Sequence, residues 1–296
     1  FVASANCALY CGASVDFVDI DPDTNTMSVA GLEAKLQQAE QSNCLPKIVV
    51  PVHLGGLPCD MQRIAALQKR YRFKIIEDAC HAIGGTYRGK PIGGCAFSDI
   101  TIFSFHPVKT MTTGEGGMAM TNDPTLARRM KLLASHGITR DSMEMDQEPD
   151  GPWYYQQIDL GFNYRLTDIA AALGTSQLVG LKKSIEQRHQ LADIYDELLA
   201  ELPVQIPRRR YADSQSGMHL YIVRLRMPER GVTHRAVFES MHEQGIGVNL
   251  HYIPVYRQPW YRKMGFTPAD YPHAEQYYQE AMTLPLFPGL TRVQIE

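Results

Sequence analysis

Residues 47–81 read KIVVPVHLGGLPCDMQRIAALQKRYRFKIIEDACH and set a helix pattern between two strand patterns. Lys47–Val52 is apolar and β-branched, which predicts a buried strand. Asp60–Tyr71 has the spacing of an amphipathic helix with Asp60 as its N-cap. Phe73–Glu77 predicts the next strand. A strand–helix–strand order of this kind is typical of a parallel sheet.

The same alternation continues on both sides of this segment. Further strand patterns occur at Val15–Ile20, Ile100–Phe105 and Gly117–Thr121, and helix patterns at Val29–Glu40 and Asp123–Ser135. The last helix opens with Asp-Pro, a common helix start. Together these elements predict an α/β fold in which helices cover both faces of a mostly parallel sheet.

The second half of the chain carries a smaller β–α–β pattern. A polar loop at Arg140–Pro152 precedes a long helix at Thr167–Leu202, which Gly174 and Gly180 weaken. After a linker at Pro203–Gly217, the sequence predicts a strand at His219–Arg226, a helix at Thr233–Gln244 and a strand at Val248–Tyr252. We therefore predict a large domain at residues 1–202, which includes the long helix, and a smaller C-terminal α/β domain at 203–296.

Both ends of the sequence are typical of mid-chain positions. The chain begins at Phe1 without an initiator Met, and Thr291–Glu296 is typical of a helix start. We expect the N-terminal part of the large domain and the C-terminal end of the smaller domain to lie outside this sequence.

Composition excludes several function classes. Lys plus Arg number 29 and Asp plus Glu 32, a net charge of −3, which argues against a dedicated nucleic-acid binder. A membrane span needs about 18 consecutive apolar residues, and the sequence has no such run. The six cysteines show neither a CxxC pair nor zinc spacing, so no metal site is expected. We predict buried thiols, with Cys7 and Cys11 at helical spacing, in a reducing cytoplasm.

Chemically capable side chains follow two of the predicted strands. Asp78 and His81 come after the first, and Lys109 comes after the second, 31 residues beyond Asp78. Ligands of open α/β sheets bind beyond the carboxyl ends of strands. The small-residue loop Thr112–Gly117 would let backbone approach a ligand closely.

An aspartate and a lysine so placed suit pyridoxal 5′-phosphate (PLP). The lysine amine can form a Schiff base with the aldehyde, and the carboxylate can keep the pyridine nitrogen protonated so that the ring accepts electrons. From the residues alone an alternative stays open, in which Asp78 caps a helix, Lys109 is a solvated lysine and His81 is a hydrogen-bonded structural histidine.

Five motifs resemble one known family, in family order and over essentially the whole chain. They are EDACHAIGGTYRGKPIG, FSFHPVKTMTTGEGGMAMTND, SHGITRD, LGFNYRLTDIAAALG and LHYIPVYRQPWYRKMGF, at residues 77–93, 103–123, 135–141, 160–174 and 250–266. The family is the DegT/DnrJ/EryC1/StrS family of PLP-dependent nucleotide-sugar aminotransferases. The resemblance implies PLP-dependent transferase fold type I, like aspartate aminotransferase.

The resemblance also implies roles for residues around the cofactor. Lys109 matches the Schiff-base lysine and Asp78 the partner of the pyridine nitrogen. His81 matches a position near the 3-hydroxyl of the ring, and Ser104 a phosphate-binding hydroxyl. Phe1 matches an aromatic stacked on the ring, although it could be a plain core residue.

Other matched residues concern the substrate and a second subunit. Asn163 matches a residue that reaches the phosphate of the partner subunit's cofactor, which implies a homodimer with shared active sites. His251 and Tyr252 match a pair that faces the sugar nucleotide. The alternatives are a turn residue for Asn163 and an exposed strand end for the pair. The basic run Arg208–Arg210 could meet a diphosphate or form a solvated linker.

The activity implied is transamination of a UDP-linked 4-keto-6-deoxy sugar with L-glutamate as donor, giving a UDP-4-amino sugar and 2-oxoglutarate. The motifs are most similar to members of pseudaminic acid biosynthesis or a related surface-glycan pathway. A sister aminotransferase of another 4-keto or 3-keto nucleotide sugar, or a non-catalytic sugar-nucleotide binding homologue, are the alternatives. The chain departs from the family in two respects: the phosphate loop would precede Phe1, and Met218 stands where a Trp is common. Lys109 argues against the dehydratases, which carry His there.

Overall fold

The computed structural model of the protein describes residues 1–211, 213–226 and 232–296. Its helices are α1 Ala3–Tyr10, α2 Val29–Gln41, α3 Met61–Tyr71, α4 Pro124–Ala134, α5 Asp168–Leu199, α6 His234–Glu243, α7 Pro259–Arg262, α8 Pro272–Glu280 and α9 Arg292–Ile295. Its strands are β1 Ile48–Val49, β2 Lys74–Asp78, β3 Thr86–Tyr87, β4 Lys90–Pro91, β5 Ile100–Ser104, β6 Gly117–Met120, β7 Ile138–Thr139, β8 Gln156–Gln157, β9 Val204–Gln205, β10 Arg210–Tyr211, β11 Ser214–Gln215, β12 Tyr221–Leu225 and β13 Ala281–Leu284.

The main sheet has the strand order β1-β2-β5-β6. β1, β2 and β5 run parallel, and β6 adds antiparallel to β5, so the prediction of a mostly parallel sheet is confirmed. Helix α3 makes the crossover from β1 to β2, since parallel neighbours cannot be joined by a tight turn. The Asp60 side chain accepts the N–H of Arg63 and so caps α3 as predicted.

The register of β2 and β5 brings two strand ends together. Asp78 is paired with Ile102, and β5 ends two residues later at Ser104. The carboxyl ends of both parallel strands therefore open on the same edge of the sheet, where a ligand is expected.

Two predicted strands are wrong. Val15–Ile20 contributes only an isolated bridge from Ile20 to Met27, because the Asp19 carboxylate accepts N–H groups of α8 and of its own segment. Val248–Tyr252 contributes only a bridge from Asn249 to Thr283.

The predicted linker Pro203–Gly217 is also structured. Within it, β9 joins the antiparallel sheet β13-β12-β9, and β11 pairs with β3 in the sheet β10-β11-β3-β4. Residues 203–217 are therefore hydrogen-bonded both to β3, which comes earlier in the chain, and to β12, which comes later. A division between residues 202 and 203 stays a prediction.

Helix α5 passes without a break through both glycines that were expected to weaken it. A Cβ at Gly174 would lie 2.8 Å from Cγ2 of Thr113, so this glycine allows close contact with the loop after Lys109. Nothing lies within 4 Å of a Cβ at Gly180, and nothing in the structure explains that glycine. Further along, Leu191 and Tyr195 of α5 pack on Tyr221 of β12 in the C-terminal core.

The cysteines are free thiols, and the predicted burial of Cys7 and Cys11 is wrong. Both are exposed because α1 buries only Ala5. Cys59 and Cys95 are buried. Among the residues that the structure describes, no helix is both long and apolar enough to cross a membrane.

Candidate active site

Asp78 ends β2 with its carboxylate buried, 7% exposed. The Ser4 hydroxyl donates to Oδ2, and the backbone N–H of Cys80 donates to Oδ1 at 3.2 Å. A carboxylate has about four lone-pair positions, so these contacts orient the group and leave it able to accept another donor. The Asp78 carboxyl group is therefore held in one orientation at the edge of the sheet.

Glu77, the neighbouring carboxylate, belongs to a different environment because successive strand residues point to opposite faces. Its Oε2 lies 2.9 Å from His53 Nε2, and the Ser98 hydroxyl donates to Oε1. Burial raises the pKa of the Glu77 carboxyl, but the hydrogen bonds from His53 and Ser98 outweigh it and hold that pKa below its ordinary value. Glu77 ties β2 to its surroundings, and of the two only Asp78 faces the site.

Lys109 follows β5 in a tight turn, where its N–H donates to His106 O at 3.0 Å. Burial lowers the pKa of the Lys109 ammonium, while the charges of Cys80 and Asp78 oppose that shift. In the described ranges the ammonium makes neither a hydrogen bond nor an ion pair. The turn thus holds a partly buried lysine side chain near the Asp78 carboxylate, and a lowered pKa makes its amine easier to deprotonate.

The loop between Lys109 and β6 needs its glycines for its own backbone. A Cβ at Gly116 would lie 2.3 Å from the Thr113 hydroxyl, and one at Gly117 would lie 2.7 Å from Phe103 O. Gly114 has φ +80 and open space around it. The predicted close approach to a ligand is thus possible at Gly114, whereas Gly116 and Gly117 serve the packing of the loop.

Three rings line one side of the site. His81 Nε2 lies 3.1 Å from the Tyr252 hydroxyl, and His251 Nδ1 lies 2.8 Å from the Thr283 hydroxyl. Burial, with a further contribution from the charge of Lys109, lowers the pKa of His251 to about 4. The structure therefore brings His81, His251 and Tyr252 together on one side of the site, near Lys109, and their roles stay predictions.

The remaining predicted residues are placed differently. Ser104 ends β5, and its hydroxyl accepts the N–H of His106 at 3.3 Å. Phe1 is 68% exposed with its ring 5.9 Å from that of Tyr252, which does not fit a core residue. Asn163 is exposed and forms an isolated bridge with Ser135, and no contact with the other predicted site residues occurs among the residues that the structure describes.

The basic run at Arg208–Arg210 is partly committed to other contacts. Arg209 donates to the carboxylates of Asp193 and Asp196 on α5. The Arg208 guanidinium lies 5.8 Å from the centre of the Tyr211 ring. These contacts favour a structural role over diphosphate binding.

Several residues in and around the site were not predicted from the sequence. Ser4 reaches Asp78 across 74 residues, and the His219 ring lies 4.6 Å from that of His81. Arg188 of α5 is buried, and its guanidinium donates to the carbonyls of Met218, His219 and Leu286. His219 lies in a predicted strand, and nothing in the neighbouring sequence indicates its contact with His81. Arg188 lies among apolar residues of a predicted helix, and a charged residue at such a position could have been recognised as buried and paired.

The residues present fit PLP. The site offers an oriented carboxylate with acceptor capacity for a protonated ring nitrogen, a desolvated amine for the aldehyde and a hydroxyl at a strand end for the phosphate. The individual roles of Asp78, Lys109, Ser104 and His81 stay predictions.

Comparisons with known proteins agree with this geometry. The model of the DegT/DnrJ/EryC1/StrS aminotransferase family matches residues 1–296. UDP-4-amino-4,6-dideoxy-N-acetyl-beta-L-altrosamine transaminase of Campylobacter jejuni is 37% identical over 285 residues, 96% of this chain and 71% of that protein.

Two solved structures cover 100% of this chain at 28% identity. Helicobacter pylori PseC, an aminotransferase involved in the biosynthesis of pseudoaminic acid, has a TM-score of 0.87 and is covered over 74% of its length. Spr1654 of Streptococcus pneumoniae, assigned as a sugar aminotransferase and solved in its PLP form, has a TM-score of 0.84 and is covered over 76%. The predicted fold type I is thereby confirmed.

Proposed function

Because this chain belongs to the DegT/DnrJ/EryC1/StrS aminotransferase family, we propose that it transfers an amino group from L-glutamate to the keto carbon of a UDP-linked 4-keto-6-deoxy sugar. The family's enzymes depend on PLP. The observation that carries the proposal is the desolvated Lys109 amine beside the oriented Asp78 carboxylate, at the joint end of β2 and β5. A non-catalytic binding protein would have no need of this pair.

Bound PLP supplies an electron sink for the carbon that loses its proton. Lys109 Nζ would take the proton from the α-carbon of glutamate and pass it to the carbon of the cofactor that was its aldehyde. In the second half of the reaction it would take a proton from that carbon and give it to the sugar carbon that receives the amine. A lowered pKa suits both tasks because the amine can accept a proton and release it again. Asp78 holds the proton on the ring nitrogen, and Ser104 binds the phosphate.

The sugar side is supported by the pair His251–Tyr252 and by the relatives. The Campylobacter relative is named for a UDP-4-amino-4,6-dideoxy sugar, and PseC is an aminotransferase of pseudoaminic acid biosynthesis. The first of these names favours a UDP-linked 4-keto-6-deoxy substrate over its 3-keto counterparts.

The test is a panel of UDP- and dTDP-linked keto sugars incubated with PLP and glutamate, with products identified by mass spectrometry. We expect an amino sugar and 2-oxoglutarate in equal amounts from the UDP-4-keto-6-deoxy sugar. Conversion of a different panel member alone contradicts the substrate, and no conversion of any member contradicts the activity.

A homodimer with shared active sites is the second part of the proposal. Between residues 153 and 179 many large apolar side chains are exposed: Trp153, Tyr155, Ile158, Leu160, Phe162, Tyr164, Leu166, Ile169, Leu173, Leu178 and Val179. Large exposed apolar patches mark interaction surfaces. Asn163 lies within this segment, between Phe162 and Tyr164 in sequence, whose rings stack on each other, so a second copy packed there would receive Asn163 at its own surface.

Mixing two inactive variants tests this arrangement. In a mixed dimer of Asn163→Ala and Lys109→Ala, one site combines both lesions and the other has neither, so activity should reappear in a size-fractionated mixture. Asp78→Asn mixed with Lys109→Ala is the matched control and should stay inactive, because both residues belong to the same chain's site. If the first mixture also stays inactive, Asn163 does not act across the interface.

We also propose that the enzyme works in the cytoplasm. Its six cysteines are free thiols, and three of them are exposed, which suits a reducing compartment.

A further inference from the structure

His81 lies between a backbone donor and a tyrosine hydroxyl. Gly55 N–H is 3.3 Å from Nδ1, and the hydroxyl oxygen of Tyr252 is 3.1 Å from Nε2. The histidine is 6% exposed, so water does not compete strongly for either nitrogen. The two contacts together determine which nitrogen carries the proton.

A backbone N–H can only donate, so Nδ1 of His81 must present its lone pair to Gly55. A proton on Nδ1 would place the Nδ1–H of His81 against the N–H of Gly55, two donors facing each other in a buried place. The hydrogen bond would be lost, and both donors would stay buried without a partner. The neutral ring therefore carries its proton on Nε2. From there it donates to the oxygen of Tyr252.

The Gly55 amide is held in place by the chain around it. Gly55 O accepts the N–H groups of His219 and Leu220 at 3.0 and 3.2 Å. A Cβ at Gly56 would lie 2.7 Å from His81 O and 2.8 Å from Met218 N, so the turn is clamped between two segments of backbone. This donor cannot swing away to accommodate another tautomer.

The neighbours of His81 favour the uncharged ring. Burial lowers its pKa well below the ordinary value, and the nearby charges of His219, Lys109 and His251 lower it further. The His219 ring packs at 4.6 Å and closes one side of the His81 ring.

We propose that Tyr252 donates its hydroxyl hydrogen into the cleft between Asp78 and Lys109, to an acceptor oxygen of the bound cofactor or sugar, because His81 Nε2–H already occupies the tyrosine oxygen. His81 is then a positioning residue that acts through Tyr252. The Tyr252 hydroxyl lies 3.1 Å from Nε2 of His81, three residues beyond Asp78 at the end of β2. Burial is the main cause that raises its pKa to about 12. It therefore stays protonated, as a donor must. The inference rests on the proposed function only for the identity of the ligand.

The tautomer can be measured without substrate. Histidine-selective ¹⁵N labelling of the wild-type protein, followed by long-range ¹H–¹⁵N spectra, should show His81 with a protonated Nε2 and a bare Nδ1. In Tyr252→Phe the Nε2 resonance of His81 should shift and Nδ1 should stay unchanged. A proton on Nδ1, or a spectrum unaffected by Tyr252→Phe, overturns the proposal whether or not the protein is an aminotransferase.

Function is tested by a double-mutant cycle. We expect Tyr252→Phe to lower kcat/KM by about 10-fold to 100-fold, the value of one hydrogen bond in a desolvated site. His81→Leu should cost a similar factor alone and little more in the Tyr252→Phe background, whereas additive losses contradict action through Tyr252. His81→Gln, which keeps a donor, should recover part of the loss.

The same variants locate the acceptor. A weaker PLP affinity in Tyr252→Phe, measured by titration, places the acceptor on the cofactor, and a raised KM for the sugar alone places it on the substrate. The matched control is Tyr71→Phe, because the buried Tyr71 hydroxyl has no hydrogen-bond partner among residues 1–211, 213–226 and 232–296. If neither quantity changes in Tyr252→Phe relative to this control, Tyr252 donates to no ligand.

Discussion

Lys109→Ala is expected to lower amino-transfer turnover by about 10³-fold or more, since one side chain supplies both the amine that engages the aldehyde and the proton transfer. The fold should survive. The ammonium makes no hydrogen bond in the described part of the chain, and its burial opposes the charged form, so little stabilisation is lost. Turnover is measured by product mass spectrometry and stability by thermal unfolding.

A lysine elsewhere serves as the control for this substitution. Lys131 lies exposed in the last turn of α4, and Lys131→Ala should leave turnover unchanged. Turnover of Lys109→Ala within about tenfold of the wild type would remove Lys109 from the chemistry. Loss of the unfolding transition in this variant would contradict the placement of Lys109 at the edge of a cleft.

Asp78→Asn is expected to lower turnover by orders of magnitude with a smaller loss of PLP affinity. The amide has nearly the same shape, its oxygen can still accept the Cys80 N–H, and the Ser4 hydroxyl can turn to accept from the amide NH2, so the local structure should persist. It carries no charge, however, and cannot hold a proton on the pyridine nitrogen. The measurement is a single-turnover rate beside a PLP titration.

The two readouts separate chemistry from binding. Equal losses in rate and affinity would mean that Asp78 only helps to hold the cofactor, and an unchanged rate would mean that it is not the partner of the ring. Asp150→Asn makes the same chemical change at an exposed loop position and should alter neither quantity.

The local sequence pattern was sufficient to predict the helices and strands that surround Asp78 and Lys109. Helices α2, α3, α4 and α5 lie where periodicity and capping residues predict them, because a cap and an apolar stripe act within a few residues. Asp78 ends β2 and Lys109 follows β5, and the runs Ile75–Ile76 and Ile100–Phe103 in these strands predict them from the sequence.

Local pattern failed where polar side chains or distant partners determine the backbone. Val15–Ile20 alternates like a strand, yet Asp19 bonds the start of α8, 254 residues away. The Pro203–Gly217 segment has the composition of a linker, but β9 and β11 find partners in two different sheets. Pairing energy comes from the partner strand, which the segment itself does not contain.

By itself, the sequence determined the fold class and the family, and it singled out Asp78 and Lys109 as the candidate pair. The tertiary structure alone decided what surrounds that pair: Ser4 on the carboxylate, Gly55 and Tyr252 on the two nitrogens of His81, and His219 against its ring. The His81–Tyr252 contact joins residues 171 positions apart. Hydrogen bonds depend on distances of about 3 Å, and such distances between remote residues are set by packing of the whole chain rather than by any local periodicity.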